Sequence, residues 1–541
     1  MKNENKVRKP SKAKPRAQKG KGKGNPISDM LGNMDEDFVA MLMQTVQDDM
    51  IFASADIVGL FAEYLETCAL GNLHEEVEAD LLPDLVAELS DVRVNANGGD
   101  REAREKIQAI HDLLDNAIET HSLHPIAMMM TSKIFNDAGW AVPDSLRSAM
   151  AEALRTGPLD TQGLTGDDIV SSMLELADQV GQNPYDFHEC VNSLLAGFPP
   201  EASITLLLEL VAGKQAVINR AVAGFVLHPD AVVAQSVAET LAASARQTPV
   251  ESSMIERLVR MRPWLPQTRQ THLDATIRAM RLNALPPVQT ALPKLIKCYA
   301  SICDGSGTRS VFATQRAGAR YQLVSVMMKS LGVAEAMVLT DLSKSEMDDI
   351  VRKMKAAMPV SETDLAGMSQ MVGLAIADNF AAGTLPPFRL VEVVESLGLG
   401  PVNADSASPM EIITDLLADL PPEEKNDAAV ARAHADLLES ELQYQWFEAG
   451  EALEDLLYPI KGSKQRVAKV MKTYLPERRL FWARQCAISA LAMRGSGKTR
   501  HSPWKQLALV GRDIASDRPL DQIPLMKQIA EVSVQAFHRQ L

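Results

Sequence analysis

From residue 34 onward, apolar positions recur at spacings of three and four, in stretches separated by short runs of Pro, Gly and Asn. That period predicts helices over residues 35–49, 53–70, 101–120, 167–180, 184–195, 201–212, 230–245 and 250–261. Stop signals bound several of them: the Asn-rich, Gly-ending run at 95–99, Asn183 before Pro184, the Gly- and Pro-containing run at 197–200, and His228 before Pro229. Many similar amphipathic helices with short links bury their apolar stripes against one another, so the chain reads as layers of helix on helix.

The sharpest local pattern is residues 227–241, Leu-His-Pro-Asp-Ala-Val-Val-Ala-Gln-Ser-Val-Ala-Glu-Thr-Leu. Pro229 and Asp230 can cap a helix whose Val233, Val237, Ala238 and Leu241 share one face. In its Pro-Asp turn, the following Val and the Ala-Glu-x-Leu run, this stretch resembles a HEAT repeat, extending with its flanking helix pairs over about residues 165–282. The resemblance implies stacked helix pairs that present an extended face to another macromolecule. Ala234 departs from it, standing where that family usually has Arg.

Helical text is expected to end at Cys303, before the turn-forming Asp304, Gly305, Ser306 and Gly307. Residues 309–315, 320–328 and 334–339 read as a hairpin plus a third strand, with a buried helix over 321–328 as the competing interpretation. On a strand, Tyr321, Leu323, Ser325 and Met327 face one way and Gln322, Val324, Val326 and Met328 the other. Neither side is polar throughout, so helices must cover both. Helices resume at Ser343, and a long one is expected over 423–458, where Val430, Ala433, Leu437, Leu442, Trp446, Ala449, Leu453 and Leu456 are spaced by three to five. At 1.5 Å per residue it would run roughly 50 Å, enough to join two halves of the molecule, or it could serve as an ordinary surface-to-core helix.

The fold class expected is therefore mainly α: a HEAT-like helical-repeat or multi-helical array with a small inserted β-hairpin or three-stranded module. Its divisions are a basic tail at 1–26, an N-terminal helical region at 27–160, HEAT-like repeats at 161–303, the β insertion at 304–341, a helical region with the long helix at 342–460, and a basic C-terminal helical region at 461–541.

Composition agrees with that class. The 541 residues are 46% hydrophobic, and 26 methionines exceed the aromatics, which favours a core of flexible aliphatic side chains between helices. Five scattered cysteines, Cys68, Cys190, Cys298, Cys303 and Cys486, imply no disulfide framework and suit a reducing compartment. No apolar stretch of about 18 uncharged residues occurs and no h-region follows the N-terminal charges, so a cytoplasmic location without membrane spanning is expected.

Charge changes the picture most. Residues 1–26 carry ten Lys or Arg against Glu4, a net of +9; the whole chain is −15, which leaves −24 for the rest. A like-charged block without apolar residues cannot offset its ordering entropy, so the tail is expected to be disordered and to serve contact. A second basic stretch, 461–500, holds eleven Lys or Arg against Glu477 and interleaves Tyr474, Phe481 and Trp482. On a helix Lys461, Lys464, Lys469 and Lys472 project broadly to one side and could meet several phosphates. The alternative is a solvated face, or internal pairing with the acids Glu448, Glu451, Glu454 and Asp455. The candidate nucleic-acid-binding set is Lys6, Arg8, Lys9, Lys12, Lys14, Arg16, Lys19, Lys21, Lys23, Lys461, Lys464, Lys469, Lys472, Arg478, Arg479, Lys498 and Arg500.

Other constellations carry less. Residues 492–499 end like a phosphate loop, with Gly497, Lys498 and Thr499, but the text before them is helical where that mechanism needs a strand. His111, Asp115 and Glu119 share a helix face, yet residues eight apart lie roughly 12 Å apart, whereas zinc draws its ligands to about 2 Å. Cys298 and Cys303 are poor co-ligands, and Asp186, His188 and Cys190 point away from one another on a helix. Gly398, Gly400 and Pro401 lack the third glycine of a dinucleotide loop. No catalytic residue, metal or cofactor is assigned. The expectation is a non-enzymatic adaptor or scaffold that binds a protein partner and, through its basic tail, a polyanion such as nucleic acid. The alternatives are an enzyme acting on nucleic acid, with Asp304 as acid or base and Arg309 and Arg320 on phosphate, or a structural subunit of a larger assembly.

Overall fold

The computed structural model describes residues 57–540 apart from 70–74, 98–99, 121–122, 124, 157–172, 175–176, 179, 196–197, 199, 214, 289–290, 441–445 and 496–502. The chain divides into two compact units, 1–60 and 61–541. Apart from residues 57–60, the described residues belong to the second. It is mainly α with a small antiparallel sheet, as the sequence pattern predicts.

Helices Ile57–Ala69 (α1), Glu75–Asn97 (α2), Arg101–Glu119 (α3), Pro125–Asp137 (α4) and Asp144–Thr156 (α5) come first. Among α2 to α5, α2 packs on α3 and α4, and α3 on α5. Phe61, Tyr64, Phe135 and Trp140 supply the aromatic core, and Trp140 donates its indole N–H to the Leu89 carbonyl at 2.8 Å. The start of α3 is fixed by Asp100, whose carboxylate accepts from the Ala103 amide.

Next come Pro184–Leu195 (α6), Pro200–Ala212 (α7), Ala216–Val222 (α8), Ala231–Ala245 (α9), Ser252–Met261 (α10) and Gln267–Arg281 (α11). The Pro-Asp signal does what its chemistry predicts: one Asp230 carboxylate oxygen accepts from Val232 N at 2.7 Å and Val233 N at 3.2 Å. Val233, Val237, Ala238 and Leu241 are all buried, and α9 is sandwiched between α7 and α11. Ala234 is buried as well, beside Arg269, which donates to the Val226 and His228 carbonyls and ties α11 to the turn before α9.

The helical text stops at Leu282, not at Cys303. Lys294–Ser301 is already a strand (β1), followed by Arg309–Ala317 (β2), Arg320–Lys329 (β3) and Gly332–Leu342 (β4), then helix Lys344–Ala357 (α12) and Val360–Thr363 (β5). The order is β4-β3-β2-β1-β5, all antiparallel, so the expected three strands are five. Cys298, Tyr299 and Ala300 form a short apolar run that period alone cannot distinguish from the end of a helix; pairing with β2 and β5 decides it. Residues 321–328 are strand, and both faces are covered. Tyr299, Phe312 and Leu323 pack with Ile350, Val351 and Met354 of α12, while Val324, Val326 and Met328 enter the main core. Helices Leu365–Ala381 (α13) and Arg389–Ser396 (α14) pack on β3 and β4.

The long helix over 423–458 is not present. In its place are a 3₁₀ turn Pro422–Glu424, helix Asp427–Leu438 (α16, after Pro409–Leu417, α15), a non-helical stretch at 446–450 and helix Glu451–Leu457 (α17). Gly450 sits at φ 114°, ψ 167°, which no helix permits. Trp446 is buried, its indole donating to Cys303 O at 2.9 Å, and the Glu448 amide donates to Ser533 Oγ at 2.8 Å. Continuous helix would forgo both contacts. The remainder is Ser463–Lys469 (α18), a π turn Val470–Tyr474, Leu475–Arg494 (α19), Trp504–Ala515 (α20) and Pro524–Gln540 (α21). Helix α19 is the central strut, buried along most of its second half and packed on α15, α20, β1 and β5. Among the described residues no helix is long and apolar enough to cross a membrane.

Candidate functional site

Cations of the 461–500 stretch separate by residue type. Arginine, with a planar fork of five donors, suits internal ion pairs, while lysine keeps its charge in water. Arg466 is buried, donates to Ile460 O at 2.6 Å, meets the His538 ring and lies 4.7 Å over the Phe537 ring. Arg478 lies 2.9 Å from Glu448 and 3.8 Å over Phe481; the Trp482 indole donates to the same buried carboxylate at 2.7 Å. Arg479 donates to the Ser516 and Arg518 carbonyls. Arg484 reaches Asp378 at 2.6 Å, and Arg494 lies 3.6 Å from Asp419. Arg478 and Arg479 therefore hold the fold together, and phosphate could engage them only in competition with these partners. Of the acids weighed as internal partners, Glu448 takes Arg478, while Glu454 takes Arg104 of α3 at 2.7 Å.

Lys461, Lys464, Lys469 and Lys472 remain exposed. They do not act as one stripe. Lys464 and Lys472 line a cleft of about 1030 Å³ beside α18, the π turn and α19; Lys461 and Lys469 lie off it. A π turn rotates less per residue than an α turn, bringing Lys472 round toward Lys464; such turns are frequent at functional sites. On this wall Val467, Ala468, Met471 and Pro476 supply an apolar floor. The opposite wall is Leu520, Asp521 and the Lys527, Glu531 and Gln535 ridge of α21, at i, i+4 and i+8. Lys464, Lys472 and Arg479 thus face Asp521, Lys527 and Glu531 across an apolar trough. Lys527 and Glu531 approach only to 3.9 Å. The α21 ridge is not legible in the sequence, because a polar i, i+4, i+8 row reads as solvated surface until a facing wall is known.

Two buried charge clusters lie elsewhere. Asp378 of α13 is shared by Arg309, whose side chain is 1% exposed, at 3.2 Å and Arg484 at 2.6 Å; burial raises its pKa while both arginines pull it back. Arg389 of α14 binds Asp186, Glu189 and Glu392; burial, then the neighbouring carboxylates, push Glu392 up to about 7 against the pull of Arg389. His188 is buried, donates from Nδ1 to Ala221 O (2.9 Å), packs on Phe225 and Phe388, and is pushed down to about 4 by burial.

The remaining sequence candidates are not brought together. Asp304 caps its own turn, accepting from Ser306 N, Ser306 Oγ and Thr308 N. Arg309 is buried against Asp378, and Arg320 begins β3 at the far end of β2, bonded to Asp341 O. The length of β2, about 30 Å, separates Asp304 from Arg320, so the three do not form one site. His111 packs against Phe135 and Trp140 as an aromatic, and among the described residues no three His, Cys, Asp or Glu are placed to hold a metal. Asp186 pairs with Arg389 and His188 turns inward, away from Cys190 chemistry. All five cysteines are free thiols. Helix α19 runs to Arg494, into the phosphate-loop-like stretch 492–499, so a helix stands where that mechanism requires a strand. Lys498, Arg500, and the tail cations at 6–23 lie outside the described residues.

The cleft falls within the stretch that matches a known family model. Residues 410–538 match the Y4lR C-terminal helical domain, and residues 199–283, which contain α7 to α11, match the Y4lR second domain. The chain is similar to the "Uncharacterized protein y4lR" of Sinorhizobium fredii (strain NBRC 101917 / NGR234), 23% identical over 437 residues that cover 77% of this chain and 81% of the relative. No solved structure matches.

Proposed function

We propose that the protein is a non-enzymatic helical adaptor: its body holds a protein partner and its cationic tail, residues 1–26, holds a polyanion such as nucleic acid. The observation that supports this reading is the lysine-edged apolar cleft of the C-terminal helices, set in a chain whose acids outnumber its bases outside the tail. Apolar floor with charged rim is the ordinary composition of a protein-docking surface. The helix pairs around α9 are HEAT-like in this reading and supply further docking area. Five free cysteines fit a cytoplasmic location.

Binding of labelled duplex DNA and single-stranded RNA, titrated with salt, tests the polyanion half. Full-length chain is expected to bind either without sequence preference, and removal of residues 1–26 to abolish most of the affinity and flatten its salt slope. Unchanged affinity after that deletion would overturn the tail's role. Sustained turnover of either nucleic acid by the purified chain would overturn the adaptor reading.

A further inference from the structure

Resting on the adaptor reading, we infer that the C-terminal cleft is a helix-binding groove whose occupant is an amphipathic partner helix carrying acidic side chains beside an apolar stripe. Three features select that occupant. First, the walls are themselves helical rows: Lys527 to Gln535 spans about 12 Å, and the facing row from Ser463 to Arg479 about 24 Å. A third helix of two to three turns laid between them would place side chains at i, i+3, i+4 and i+7 on the floor. Second, Val467, Ala468 and Met471 are small or adaptable apolar groups that receive aliphatic side chains and offer phosphate no donor. Third, the rim is cationic but interrupted. Lys464 and Lys472 have no ion-pair partner among the described residues, whereas Asp521 and Glu531 sit among the cations. Duplex nucleic acid presents a charge about every 1.7 Å of its axis and would be held against both carboxylates; a helix places discrete acids opposite the lysines and none opposite Asp521 and Glu531.

The test is selection of random peptides displayed on phage against the full chain, followed by titration of the enriched peptides against variants. Enriched peptides are expected to show apolar residues at helical spacing flanked by Asp or Glu. They should bind Lys464→Glu/Lys472→Glu about fivefold or more weakly, and Ala468→Trp, which fills the floor at an exposed position, weakly or not at all. Lys461→Glu/Lys469→Glu makes the same charge change off the cleft and should bind as the parent does. The inference is overturned by no enrichment, by enrichment without acids, by equal losses in both lysine pairs, or by duplex DNA or anionic vesicles competing for the cleft more strongly than the peptides. Tail-dependent binding of nucleic acid is read separately, so failure of the groove leaves the tail's part standing, and failure of the tail leaves the groove's.

Discussion

Asp378 shows how much depends on single buried groups. It is the shared counter-ion of two arginines that reach it from β2 and from α19, and it joins sheet, α13 and strut at one point. Replacing it with Asn leaves two desolvated cations on one amide, and removal of one partner from a buried ion cluster costs about 3–5 kcal/mol. Urea unfolding of Asp378→Asn should show a loss of that size; a change below about 1 kcal/mol would mean that water already satisfies the arginines. Glu392 makes a pH-dependent contribution of definite sign. Its carboxyl, ordinarily near 4.5, titrates at about 7 in the fold, so between those values the native state keeps a proton the unfolded chain has released. Stability linked to that proton is complete below pH 4.5 and is lost as pH rises through 7, amounting to about 3–4 kcal/mol at about 1.4 kcal/mol per unit. Glu392→Gln cannot ionise. Its stability relative to the parent should therefore rise from pH 4.5 to pH 7.5, and a constant difference would contradict the raised pKa.

Elements are decided where local preference meets a partner. Asp230 is a local decision, since the cap sits beside the amides it serves; Asp230→Ala should lower stability by about 1 kcal/mol, read from the denaturation midpoint. Gly450 is a tertiary one. Within a continuous helix, Gly450→Ala would stabilise by about 1 kcal/mol. At φ 114° and ψ 167° the same change should destabilise by about 1–3 kcal/mol, all of it local backbone strain, because no other part of the fold lies within 4 Å of the added carbon. The sign of that measurement alone separates the broken segment at 446–450 from the long helix that apolar spacing suggests.

At the scale of the whole molecule, the dominant fact is a +9 tail on a body of −24. A flexible chain of that length has a span of about 28 Å, several times the screening length of about 8 Å at physiological salt. If the tail is flexible, as proposed, it would meet phosphates while the body's repulsion is screened. If six or more phosphates are engaged, affinity should fall by about 10³ or more between about 50 and 200 mM salt. A slope that is unchanged after removing residues 1–26 would assign the attraction to other cations.

The sequence by itself determined the helical class and the cap at Asp230, because each follows from bonds or periods within a few residues, whereas strand over 321–328 was decided against a buried helix by pairing with β2 and β4. It also determined the charge division, which is a property of composition. Only the tertiary structure decided that β1 begins at Lys294, that Trp446 enters the core from non-helical chain, and that Arg478 pairs with a buried carboxylate and Arg479 with two carbonyls while Lys464 and Lys472 edge a cleft without an ion-pair partner among the described residues. The physical reason is the same throughout: a short apolar run or an isolated charge has no fate of its own, and acquires one when a strand, a carboxylate or an opposing helix from elsewhere in the chain arrives to satisfy it.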